Sequence, residues 1–185
     1  MVKSFKLPSG ISREDVKRAL DADFWNNKKV VVQLHKHDRV MAATIALYTG
    51  RRRGEIALLR REDIDWERRY ITRTILKKRP RRRVDIPYGR EFEYYLKRRW
   101  IIKGRPYRGR VVEGNPRGRS VSFHRWAKRR GRELRFHDLR HLYALNMLGR
   151  GVPLPVLRKL LQHSDLRVTS IYLELDTRDL EDFVL

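Results

Sequence analysis

Four short stretches of this chain carry side chains suited to work on a phosphodiester: Tyr48-Thr49-Gly50-Arg51-Arg52-Arg53-Gly54-Glu55, His137-Asp138-Leu139-Arg140-His141, Leu161-Gln162-His163-Ser164 and Ile171-Tyr172. Arg52 follows a glycine turn, and Arg140 offers a second guanidinium fork. Two such forks can neutralise both non-bridging oxygens of a phosphate. His137 and Arg140 are one helical turn apart, so both can face one cleft. His163 precedes a predicted helix start, itself a favourable anion environment, and Tyr172 lies nine residues on, near the far end of that helix. Each residue alone reads more simply, as a helix-end histidine, a solvated arginine or a core tyrosine. As an ordered set they point to a tyrosine that attacks a DNA phosphate held by cations.

The elements that must position these groups follow from the pattern of apolar and turn residues. Ser12 caps a short helix. The run from about Arg39 to Thr49 is apolar nearly all round, which marks a buried helix that Gly50 ends. A second helix covers about Arg53 to Arg61 and presents Ile56 and Leu59. Tyr70 to Leu76 and Arg83 to Pro87 read as strands around the basic hairpin tip Lys77-Lys78-Arg79-Pro80-Arg81-Arg82, with Arg110-Val111-Val112 as a third short strand. Helices are expected at 91–102, 120–131, 138–149, 154–162 and 165–174, and 103–119 reads as loop. The expected class is therefore α+β, mostly α, with a small three-stranded antiparallel sheet in one domain spanning 1–185. Residues 1–29 form its lead-in and 174–185 an acidic tail.

Charge narrows the partner. The formal net charge is +23, and residues 51–135 hold 30 Lys/Arg against 10 Asp/Glu. Such clustering is the footprint of a nucleic-acid binder. Residues 174–185 reverse the sign, with five acids against Arg178. No uncharged apolar stretch is long enough to span a bilayer, and no apolar run follows the N-terminus, so neither membrane nor signal peptide is expected. With no cysteine, disulfides and thiolate sites are excluded, and a cytoplasmic location fits. Scarce Asn and Gln beside abundant Arg suit a protein that works hot. His35-x-His37 and His137/His141 have ligand-like spacings but lack a third ligand, so no metal is expected.

Taken together, Thr49-Gly50-x-Arg52-x-x-Glu55, His137-x-x-Arg140-His141, Gln162-His163 and Tyr172 resemble the motifs of the tyrosine recombinases, the phage integrase family, over roughly residues 30–175. Gln162 stands where that family usually has glycine, and Arg51 where it usually has leucine. The resemblance implies a site-specific recombinase or integrase acting on double-stranded DNA. Tyr172 would form a 3′-phosphotyrosine and free a 5′-hydroxyl. Arg52, Arg140 and His163 would stabilise the phosphoryl charge, and His137 would assist proton transfer around Tyr172. A hairpin lysine would protonate the departing oxygen; counting back five from Arg83 gives Lys78, and from Arg82 gives Lys77, with Lys78 preferred. Arg51, Arg53, Lys77, Arg79, Arg81, Arg82, Arg83 and His141 would touch DNA.

Because the phosphotyrosine keeps the bond energy, no cofactor, metal or ATP is implied. The resemblance further implies assembly into a tetramer on DNA through the C-terminal tail, and an N-terminal DNA-clamping domain that this chain lacks. Two rivals share much of the pattern: a tyrosine-type topoisomerase, which usually has lysine in place of the first histidine of the His-x-x-Arg box, and a non-catalytic DNA-binding relative. The intact Arg52, His137, Arg140, His163 and Tyr172 set argues against the second.

Overall fold

One helix organises the molecule. The computed structural model describes residues 11–25, 30–75, 82–103 and 108–161. Within it α2, Val30–Thr49, runs through the centre, and every residue from Val40 to Leu47 is at most 1% exposed. A helix that is apolar all round can only lie inside. Its polar members satisfy themselves: the Thr44 and Thr49 hydroxyls donate to the carbonyls of Val40 and Ile45 one turn back, at 2.9 and 2.6 Å. Around it pack α1 (Arg13–Trp25), α3 (Arg53–Leu58), α4 (Arg90–Lys103), α5 (Pro116–Lys128) and α6 (Asp138–Gly149), and α7 (Leu154–Leu161) packs on α6.

The expected start of α2 at Arg39 is too late. The helix continues back through His37 and Asp38 because tertiary partners compensate its charges. Asp38 pairs with the buried Arg99 of α4, and the Arg39 guanidinium lies 5.7 Å over the Trp126 ring. Helix α1 begins as expected. Ser12 Oγ accepts the Asp15 N–H, while Asp15 Oδ2 accepts the Ser12 N–H, both at 3.0 Å. Helix α5 starts four residues before its expected position, since Asn115 caps it through the Arg117 N–H at 2.8 Å and Pro116 fits the first turn.

The sheet is three-stranded and antiparallel, in the order β1 (Ile64–Asp65), β2 (Tyr70–Ile75), β3 (Arg82–Pro87). Ile71 faces Ile64 on one side and Ile86 on the other, and all three are buried, while Thr72 donates to Asp85 at 2.7 Å on the opposite face. The third strand is thus Ile64–Asp65 and not the expected 110–112 segment. Arg110 forms an isolated β-bridge with Arg60, with the Val111 N–H donating to the Leu59 carbonyl at 3.0 Å. A turn built on Asp65 enforces the β1–β2 hairpin: its Oδ1 accepts the N–H groups of Glu67 and Arg68 at 3.1 and 2.9 Å. Helix α6 falls on the expected residues, and α7 starts where expected and runs to Leu161, the last described residue. The hairpin tip except Arg82, the 165–174 helix and the acidic tail lie outside the described residues. Among those residues no helix is long and apolar enough to cross a membrane.

A candidate phosphodiester site

The site is built where α2 stops. The Gly50 N–H closes the helix onto the Ala46 carbonyl at 2.9 Å, and Gly50 takes φ +59°. A Cβ there would lie 2.5 Å from Tyr143 Cδ1 and 2.8 Å from Leu161 Cδ2, so both conformation and space demand glycine. The chain reverses, and Arg52 becomes the N-cap of α3. Glu55, 2% exposed, holds it twice. Oε2 accepts the Arg52 N–H at 2.9 Å, and Oε1 pairs with the guanidinium at 3.3 Å. The Arg52 side chain is 26% exposed, at the rim of the turn, with Arg53 exposed beside it.

Helix α6 supplies the second group. His137 is its N-cap, and its ring meets that of His141 edge-on, with centroids 4.9 Å apart. Desolvation is the main cause that lowers the His137 pKa, and the charges of Arg140, Arg52 and Arg53 lower it further against the opposing pull of Asp138. These neighbouring charges bring α3 and α6 to one place. An imidazole held below its ordinary 6.5 is neutral near pH 7 and able to accept a proton.

Arg140 lies deeper than a surface phosphate contact. It is 2% exposed, and its guanidinium donates through Nη1 to the Gly50 carbonyl and through Nη2 to the Leu161 carbonyl. It therefore joins the end of α2 to the end of α7, two residues before His163. Arg51 faces inward, contrary to its expected place on the DNA side. It is 1% exposed and donates to the Ile71 carbonyl at 3.0 Å, holding the α2–α3 turn against β2. Arg83 is exposed and pairs with Asp63, and Arg82 lies opposite Ile75 in the ladder. Lys77, Lys78, Arg79, Arg81, His163 and Tyr172 lie outside the described residues. Glu55 was absent from the expected site residues, although its position three after Arg52 was the available signal. No group of three His, Cys, Asp or Glu that could hold a metal occurs among the described residues.

Comparisons with known proteins agree with this arrangement. The phage integrase family pattern matches residues 12–178. The tyrosine recombinase XerA of Pyrococcus furiosus is 28% identical over 187 residues, covering 96% of this chain and 61% of that protein's length. A crystal structure of XerA recombinase superposes with TM-score 0.70 at 20% identity, over 96% of this chain and 64% of that one. A lambda integrase dimer bound to a COC′ core site gives TM-score 0.67 at 19% identity, over 95% and 62%. The chain thus spans about three-fifths of the length of the relatives it matches. With all four motif stretches inside the matched residues and the fold shared, the chain belongs to the phage integrase family.

Proposed function

We propose that this chain is the catalytic part of a site-specific recombinase that cuts and rejoins double-stranded DNA through a covalent 3′-phosphotyrosine at Tyr172. The observation that carries the reading is the convergence of Arg52, Arg53, His137 and Arg140, with Arg140 tying the Gly50 turn to the end of α7. In the sequence His163 follows two residues after Leu161, whose carbonyl Arg140 holds. Tyr48, Tyr88 and Tyr95 are poor nucleophiles, since burial raises their pKa.

In the reaction the Tyr172 oxygen attacks the scissile phosphorus and gives up its proton to His137. The bond to the 5′ oxygen breaks, and Lys78 protonates that oxygen. Arg52, Arg140 and His163 stabilise the charge on the non-bridging oxygens. Religation reverses each transfer, so no cofactor or metal is required. Arg53, His141 and the hairpin residues Lys77, Arg79, Arg81, Arg82 and Arg83 line the DNA. The active form is a tetramer on DNA joined by C-terminal tails, working on DNA in the cytoplasm.

The test is a randomised library of nicked duplexes, on which loss of the short downstream fragment traps covalent protein–DNA adducts for sequencing. The native chain should yield an adduct at a defined sequence. Tyr172→Phe should bind the same DNA and yield none. Adduct formation by Tyr172→Phe would remove Tyr172 from its role.

A further inference from the structure

Asp138 stands between His137 and Arg140 in the chain, yet the reaction above gives it nothing to do. Its carboxylate is buried, and Oδ2 accepts the Arg135 N–H at 2.6 Å. The Asp138 N–H returns to the Arg135 carbonyl at 3.1 Å. This reciprocal pair closes the turn Arg135-Phe136-His137. Phe136 fixes the same turn from inside, buried edge-on against Phe123 with ring centroids 5.7 Å apart. The backbone of His137 is therefore held on both sides, and its ring is left at the surface of the site.

The charges around that ring are lopsided. From α3 it faces Arg52 and Arg53; from α6 it faces Arg140 and Asp138, with the His141 ring edge-on. On α5, His124 acts on Asp138 from another direction, with Nδ1 3.1 Å from the Leu134 carbonyl. Among the described residues whose charges act most on His137, Asp138 is the negative one. A base that takes the Tyr172 proton becomes an imidazolium among three guanidiniums. A carboxylate that aims the imidazole and opposes those charges is what such a step needs, as in other base–carboxylate pairs.

We propose that Asp138 is the positioning residue of His137: it fixes the turn that aims the imidazole and supplies the negative charge that lets the ring hold a proton. The inference rests on the reading of His137 as proton acceptor. Asp138 itself keeps its charge throughout, and the proton moves only between Tyr172 and His137.

Asp138→Asn tests this, because the amide oxygen can still accept the Arg135 N–H while the charge is gone. The readout that needs no activity is the titration of the His137 ring by NMR. Its midpoint should fall by about one pH unit, the scale of one close opposite charge. The acid limb of adduct formation should move with it, with DNA affinity nearly unchanged. In a His137→Gln background, adding Asp138→Asn should leave the residual cleavage rate as it was. An unmoved His137 midpoint, or a further loss in the His137→Gln background, overturns the proposal. If the variant does not fold, the native protein still decides: the Asp138 carboxyl carbon should show a titration step at the His137 midpoint, and its absence is refuting. If the native chain forms no adduct, the recombinase reading fails while the titration result stands.

Discussion

At the scale of single residues, the site depends on a carboxylate that holds another residue in place. Glu55 takes both the backbone N–H and the guanidinium of Arg52, and it does so at 2% exposure. Removing it leaves a partly buried N–H without its partner and a cation without its guide, at a cost on the order of 1–3 kcal/mol. Glu55→Ala should lower the urea midpoint accordingly and slow single-turnover adduct formation at least about tenfold, since misplacement of a clamp costs rate directly. Glu55→Gln should keep most of the stability, because its amide oxygen still accepts the N–H. Wild-type cleavage by Glu55→Ala would show that Arg52 needs no guide. His137 and Arg140 were legible because their spacing is one helical turn, and Arg52 because it follows a glycine turn. Spacing says nothing of direction, however. Arg51 has the same charge as its two neighbours, and only the strand packed over the α2–α3 turn decides that it points inward.

At the scale of elements, charges buried between helices extend α2 beyond its apolar run. Asp38 on α2 meets Arg99 on α4, and the Arg99 Nε also donates to the Val111 carbonyl at 3.1 Å, so one guanidinium fastens a helix pair and the 108–115 loop. Breaking such a pair from one side strands the other charge and costs about 3–5 kcal/mol, whereas replacing both partners with apolar groups of similar size is often neutral. Asp38→Ala should therefore destabilise strongly in urea, and Asp38→Leu combined with Arg99→Met should recover most of that loss. No recovery in the double variant would mean that the Val111 contact, and not the pair, dominates. This is also why the N-terminal half of α2 was hard to read. His37, Asp38 and Arg39 look like surface, and only long-range partners make them core. The third strand was obscure for a different reason. Ile64–Asp65 is too short to alternate, and the clearer apolar pair Val111-Val112 is buried beside a bridge between Arg110 and Arg60 instead. The Asp65 turn was the one local signal.

At the scale of the whole molecule, charge sets how the protein responds to its solution. A chain at +23 that neutralises many phosphates should lose DNA affinity steeply as salt rises, with a log–log slope of about −0.9 per phosphate contact. Fluorescence anisotropy on a duplex between 50 and 300 mM salt, roughly the range over which such slopes resolve, checks this. A flat response would speak against a phosphate-tracking interface. Acid acts on the fold through two histidines. His37, desolvated beside Arg99 and Arg98, and His137 both have pKa values lowered from 6.5. Below that value the unfolded chain binds protons that the folded chain refuses, so stability should fall as pH drops through 6.5 and level off below the folded values. Asp138 shifts the other way, raised mainly by desolvation, so its protonation opposes that loss. Urea midpoints at about pH 7.5 and 5.5 bracket the histidine window. The gap between them should shrink in a His37→Gln, His137→Gln double variant.

The Arg140 contacts have a consequence for biosynthesis. They reach Gly50, 90 positions upstream, and Leu161, 21 positions downstream. A ribosome making this chain delivers the Gly50 turn early, and that turn must wait for the end of α7 before its clamp can close. Long loops are also the last to shut in a folding chain. Every nascent or half-melted copy therefore carries arginines and histidines without an assembled grip on phosphate. On the proposed function, the chain is disarmed until it is finished.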